Sequence, residues 1–290
     1  ELLLKQKGKF VFDRDSEGKN VLCYACQEGN IEWVSILIKD LHHRQLTPEE
    51  QSDYFHGCLQ IAFKNGHYEI LKLLLQQKGK FVLDRDSEDK NVMLYACQEG
   101  NTEFVSILIK DMQDRDLTPE ERSSYLRGSL RIAVINGSNE VVELILQNRH
   151  QLEININDKF GSGYITTSYL MMACFYGHFE VCHLLLQQPD LDTNITTDFQ
   201  DTAFILACSS GHSKIVNIML EMSSDRKINL NHRGAAGRTG FVQACLRKEE
   251  QIVDLLMRNS EKYNIDLNAK DIAGKSGHDY WPEKFPNHFE

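Results

Sequence analysis

The chain has 290 residues, 41% hydrophobic and 26% charged, which is ordinary globular composition with enough apolar side chain for a sizeable core. A formal net charge of -10 repels phosphate backbones and argues against nucleic-acid binding, while it tolerates basic partners as well as serving solubility. No apolar run approaches the roughly 20 residues of a bilayer span, so direct membrane insertion is not expected; with no signal peptide visible and Glu1 first, the chain reads as an excerpt of a longer intracellular protein.

In chain order, residues 1–9 come first. Leu2-Leu3-Leu4 and Lys7-Gly8-Lys9-Phe10 match Leu73-Leu74-Leu75 and Lys78-Gly79-Lys80-Phe81, so the chain opens inside the second helix of an earlier unit. Residues 10–48 then realign on 81–119 with an offset of 71, and 29 of those 39 positions are identical. A finer period lies beneath this duplication. A marker alanine recurs at Ala25, Ala62, Ala96, Ala133, Ala173, Ala207 and Ala244, with spacings of 37, 34, 37, 40, 34 and 37. Four residues after each of the first six comes a glycine, from Gly29 to Gly211; the seventh has Lys248 instead. Each unit reads as two helices. The first carries the alanine and stops at the glycine, the residue that ends a helix at least steric cost. The second carries apolar residues at helical spacing, as in Ile215, Val216, Met219 and Leu220. Neither helix can bury its apolar face alone, so neighbouring units must stack into a shared core.

These features resemble the ankyrin repeat, whose period is about 33 residues. The sixth unit reads DTAFILACSSGHSKIVNIML from Asp201 to Leu220, and the fifth reads YLMMACFYGHFEVCHLLL from Tyr169 to Leu186. The Asp-x-x-Gly hairpin occurs at Asp15–Gly18, Asp158–Gly161 and Asp271–Gly274. The resemblance implies an all-α ankyrin-type helical-repeat solenoid with short finger loops, about seven repeats plus a partial C-terminal unit. The expected units over the single solenoid 1–290 are 10–46, 47–80, 81–117, 118–157, 158–193, 194–231 and 232–270, with 271–290 as a cap. No unit keeps the family's T-P-L-H tetrapeptide. The second and fourth begin instead with Thr47-Pro48-Glu49-Glu50 and Thr118-Pro119-Glu120-Glu121, each a capping box. An early start and a long first helix are expected in both. About five extra residues near Ser162–Thr166 predict a longer fifth finger.

Motifs that could carry chemistry have plainer explanations. Cys23-Tyr24-Ala25-Cys26 is a C-x-x-C, but Cys23 aligns with Leu94 in the duplicate, and Cys26, Cys97, Cys174, Cys208 and Cys245 each directly follow a marker alanine. Free cysteine packs as a small hydrophobe, and eight cysteines in core slots point to a reducing, cytoplasmic setting. Gly274-Lys275-Ser276 lacks the first glycine of a phosphate loop. His67, His178 and His212 follow the turn glycine, where the resemblance implies a structural role. Carboxylates are placed in hairpins, caps and solvent-facing helix positions. No metal site, cofactor or catalytic residue is expected, and no enzyme activity.

The resemblance implies binding of another protein or peptide through the fingers and the inner face of the first helices. The two residues before each turn glycine face that groove in the family. Most pairs here are polar, but Ile135 precedes Asn136 in the fourth unit and the fifth has Phe175-Tyr176, with Phe160 and Phe199 on nearby fingers. Ile135, Phe160, Phe175, Tyr176 and Phe199 form the candidate partner patch; the competing reading has the longer fifth finger fold over them. Asn194 and Asn268 resemble positions that an asparaginyl hydroxylase modifies in some ankyrin repeats. The expected function is a protein-binding scaffold module, with a structural or assembly segment of a channel or cytoskeletal protein as the alternative.

Overall fold

Local capping sets where the helices start. The side chain of Asn20 accepts from Cys23 N–H and starts α1 (Val21–Gln27), and Asn91 does the same for α6 (Val92–Gln98) through Leu94 N–H. Ser168, Thr202, Thr239 and Ser276 cap α10 (Tyr169–Tyr176), α12 (Ala203–Ser209), α14 (Gly240–Arg247) and α17 (Gly277–Tyr280) in the same way. Each satisfies a backbone donor that the first turn leaves orphaned. The computed structural model describes residues 13–44, 46–77, 79–161 and 166–285. The calls on residues 1–9, on Pro286 and on most of the longer fifth finger, 162–165, lie outside the described residues.

Each first helix is followed by an antiparallel partner: α2 (Ile31–His43), α5 (Tyr68–Leu75) after α4 (Cys58–Lys64), α7 (Thr102–Asp114), α9 (Asn139–Asn148) after α8 (Pro119–Asn136), α11 (Phe179–Leu186), α13 (Ser213–Glu221) and α15 (Glu250–Arg258), with a short α16 (Ser260–Tyr263) behind it. The glycine between them takes a left-handed φ of +67° to +81° in all six cases, and Lys248 takes +60° in the seventh unit. Six of the seven marker alanines are fully buried; Ala25 is only half-buried. The fold is an all-α array of paired helices, as the resemblance implies. Packing gathers it into two compact units, one from Glu1–Ile132 and Leu144–Ile154, the other from Ala133–Glu143 and Asn155–Glu290.

The two capping boxes form as expected. Glu50 N–H donates to Thr47 Oγ1 at 3.2 Å and Thr47 N–H to Glu50 Oε2 at 3.0 Å, with matching bonds of 3.2 and 2.9 Å between Thr118 and Glu121. The long first helix follows in the fourth unit, where α8 runs 18 residues without a break. In the second unit it does not. The segment divides into α3 (Pro48–Phe55) and α4, because Gly57 turns to a left-handed φ of +75° and His56 N–H bonds to Asp53 O in a tight turn. Gly128, the residue aligned with Gly57, stays helical within α8.

The fingers also depart from a uniform pattern. Asp15 and Asp271 form the expected turns, Gly18 N–H bonding to Asp15 O and Gly274 N–H to Asp271 O, each at 3.0 Å. Asp158–Gly161 does not. Lys159–Phe160 (β1) instead pairs antiparallel with Thr167–Ser168 (β2), Lys159 opposite Ser168.

Candidate functional site

The compact unit of Ala133–Glu143 and Asn155–Glu290 holds all five candidate residues, and its repeat-to-repeat hydrogen bonds decide how they are presented. His178 Nε2 faces Ile135 O at 2.8 Å, and His212 Nε2 faces Phe175 O at 3.0 Å. A carbonyl only accepts, so each ring nitrogen donates. The histidine after one turn glycine thus fastens the residue two before the glycine of the preceding repeat, which is the position of Ile135 and of Phe175. His67 does the same for Gln27 O at 3.1 Å in the other compact unit.

A second ladder runs along the ends of the second helices. Asn157 donates to Asp190 O at 2.8 Å and accepts from Asp192 N–H at 2.8 Å. Asn194 bonds Lys227 O and Asn229 N–H at 2.8 Å each. Asn231 bonds Asn264 O at 2.7 Å and Asp266 N–H at 2.9 Å. Both side-chain groups of Asn194 are therefore engaged, whereas Asn268 is exposed. These bonds tie the backbone of each repeat to that of its neighbour.

Phe175, Tyr176 and Phe199 are each about half exposed. The rings of Phe175 and Tyr176 meet edge to face, with centroids 5.2 Å apart and planes at 87°. Phe199 stands on the next finger, where Thr196 bridges Thr202 and Gln200 adopts a φ of +66°. Ile135 and Phe160 are half-buried. The Phe160 ring packs on the fully buried Tyr169 with centroids 4.7 Å apart. Phe175, Tyr176 and Phe199 thus present open aromatic surface, while Ile135 and Phe160 are only partly accessible. Sequence reasoning passed over Ile272, on the finger after α16, which is 82% exposed. It lies one residue beyond the Asp271 that marks the hairpin, so the finger positions alone could have flagged it.

The thiols behave as core residues. All eight cysteines are free and buried. Cys23 Sγ lies 3.6 Å from Cys58 Sγ, so its nearest recorded thiol is in the next repeat rather than at the end of the C-x-x-C. The hydrogen bond from Cys58 lowers the Cys23 thiol to about 7, against the effect of burial. Burial pushes Cys97 and Cys208 far up. Among the described residues no three His, Cys, Asp or Glu side chains gather as a metal site, and no helix is long and apolar enough to cross a membrane. Asp111 corrects the solvent-facing reading of helix carboxylates. It is largely enclosed, and burial raises its pKa against the Arg115 guanidinium bound to it at 2.5 and 3.0 Å.

Residues 1–86, 59–160 and 170–271 match the family described as ankyrin repeats in three copies. A transient receptor potential cation channel subfamily A member 1 homolog of Caenorhabditis elegans is 22% identical over 215 residues, covering 73% of this chain and 16% of that protein. The ankyrin repeat and KH domain-containing protein mask-1 of the same organism is 24% identical over 174 residues, covering 60% of this chain and 6% of that protein. The chain spans less than a fifth of the length of either relative. With matches over most of its residues, paired helices at every marker alanine and a left-handed turn closing each first helix, the chain belongs to the ankyrin-repeat family.

Proposed function

We propose that this chain is a scaffold module that holds another protein or peptide against Phe175, Tyr176 and Phe199, with Ile135 and Phe160 at the base of the contact. The observation that carries the reading is the pair of half-exposed aromatic rings on a first helix whose backbone is pinned by His212. Large, rigid aromatic side chains contribute most of the free energy in many interfaces. The net charge of -10 supports a partner of basic character, whose binding weakens as salt screens the attraction. Eight buried free thiols support a reducing, cytoplasmic setting. Similarity to a channel homolog supports a second reading, an assembly segment of a larger channel or cytoskeletal protein.

Partners retained by the chain in affinity capture should be retained about tenfold less by the Phe175→Ala/Tyr176→Ala variant, while its far-UV circular dichroism is unchanged. Retention equal to that of the parent chain rejects this surface. Collapse of the helical signal instead means that the rings are core residues.

A further inference from the structure

The eight cysteines are not equivalent. Seven are fully enclosed, and Cys23 alone keeps accessible surface, at 2%. Its Sγ meets Cys58 Sγ at 3.6 Å and lies 3.7 Å from His56 O. Cys23 belongs to α1 and Cys58 opens α4, so the two thiols face each other across the junction of two repeats, 35 positions apart in sequence. Cys26, one turn beyond Cys23 in α1, also hydrogen-bonds Cys58.

The duplicate shows the same junction without the pair. Cys23 aligns with Leu94 and Cys58 with Ser129. Ser129 Oγ donates to Tyr125 O at 3.0 Å inside the unbroken α8. In the earlier copy the helix breaks at His56 and Gly57, directly ahead of Cys58, and Cys23 meets the His56 carbonyl at that break. A leucine and a serine fill the same places in the later copy, so core packing does not by itself require either thiol.

The pair is also polarised. The hydrogen bond from Cys58, helped by the Arg14 and Lys19 cations, holds the Cys23 thiol at about 7 against burial. Burial and the same bond hold Cys58 well above the ordinary thiol range. Near neutral pH Cys23 therefore supplies the nucleophilic thiolate while Cys58 keeps its proton. The other close pair, Cys174 and Cys182 at 3.7 Å, lies within one repeat with both thiols fully buried, and there the hydrogen bond from Cys182 and burial together raise Cys174.

We propose that Cys23 and Cys58 are an oxidation site, at which a peroxide closes an inter-repeat disulfide that fastens α1 to α4. The Cys23 thiolate attacks one peroxide oxygen and the O–O bond breaks. Cys23 becomes a sulfenic acid, and the departing hydroxide takes up the proton that Cys23 released on ionising. The Cys58 sulfur then attacks the Cys23 sulfur, the S–O bond breaks, and the Cys58 proton leaves with the hydroxide as water. Two thiols are oxidised to one disulfide, and one peroxide is reduced to two waters. A bridge closing a loop of this length restrains the unfolded chain, so it strengthens the junction. The site lies in the other compact unit from Phe175 and is independent of that surface.

The reduced chain is treated near neutral pH with hydrogen peroxide, denatured in N-ethylmaleimide and digested. A peptide linked through Cys23 and Cys58 should appear at about fivefold or more the amount of any other cysteine pair. The linkage should lower the intact mass by about 2 Da and be reversed by dithiothreitol. The duplicate supplies the variants, because its fold accepts the same residues at the aligned positions. Cys23→Leu should abolish the linkage and leave Cys58 a free thiol. Cys58→Ser should abolish it too, yet Cys23 should still be oxidised. A dominant Cys23–Cys26 or Cys174–Cys182 linkage overturns the proposal, and so does recovery of all eight cysteines as N-ethylmaleimide adducts. Oxidation of Cys58 in Cys23→Leu at the parent rate removes Cys23 as the attacking thiol and overturns it equally.

Discussion

At Gly29, Gly137 and Gly177 the turn glycine is required twice over. A left-handed φ disfavours any side chain, and the next repeat's histidine occupies the space where one would go. At Gly177, with φ of +81°, a Cβ would lie 2.5 Å from His212 Cε1. Gly177→Ala should therefore cost about 2–3 kcal/mol in urea unfolding, more than the backbone term of about 1–2 kcal/mol alone. Lys248 already carries the strain of a side chain in this conformation, at φ of +60°, and Lys248→Gly should recover about 1 kcal/mol. A second residue-scale effect is titration. Burial lifts the Asp84 carboxyl to about 6, against the pull of His56, whose Nδ1 lies 3.0 Å from Asp84 Oδ2. An aspartate in the unfolded chain titrates near 4. Between these values the folded chain keeps a proton that the unfolded chain has released. The stabilisation from this group is thus complete below about pH 4 and is lost as pH rises toward 6. Asp84→Asn should remove about 1–2 kcal/mol of that pH dependence between pH 4.5 and 6.5; parallel urea curves for parent and variant would contradict it.

At the scale of elements, the duplication sets one glycine in two conformations. Gly57 separates α3 from α4 at φ of +75°, while its counterpart Gly128 lies inside α8 with only Leu94 Cδ2, at 3.5 Å, near its missing side chain. The same substitution should act with opposite sign. Gly128→Ala stabilises by about 1 kcal/mol, because alanine favours the helix interior and the contact is ordinary van der Waals distance. Gly57→Ala destabilises by about 1–2 kcal/mol, because a Cβ is disfavoured in the left-handed region. Equal shifts in the two urea midpoints would show that the break at His56 is not maintained in solution.

Across the whole molecule, a repeat fold draws its stability from neighbours sharing apolar faces, so the last described elements matter beyond their size. α17 and Phe285 close over α14, with the Phe285 ring centroid 4.4 Å from His278 and 6.4 Å from Phe241. Asp271 helps to hold α17 in place through Arg238 and the Tyr280 hydroxyl. Phe285→Ala should cost about 3 kcal/mol, read as an earlier urea midpoint together with increased binding of an apolar dye where Phe241 is uncovered. A change below about 0.5 kcal/mol would mean that the segment does not cap the array.

The sequence alone determined the period, the paired helices and the turn at each glycine, because these depend on local residue type and spacing. It also identified the cysteines as core, since the duplicate places Leu94 where Cys23 stands. Only the tertiary structure decided which members of the aromatic group stay open. Phe160 and Phe175 look alike as residues, but Phe160 meets Tyr169 and Phe175 meets only its neighbour Tyr176 among the recorded ring contacts. Nor could local pattern separate Gly57 from Gly128, or the exposed Trp33 from the buried Phe104. Near-identical segments take different conformations and exposures there because their neighbours differ, and those neighbours are brought together from distant parts of the chain by folding.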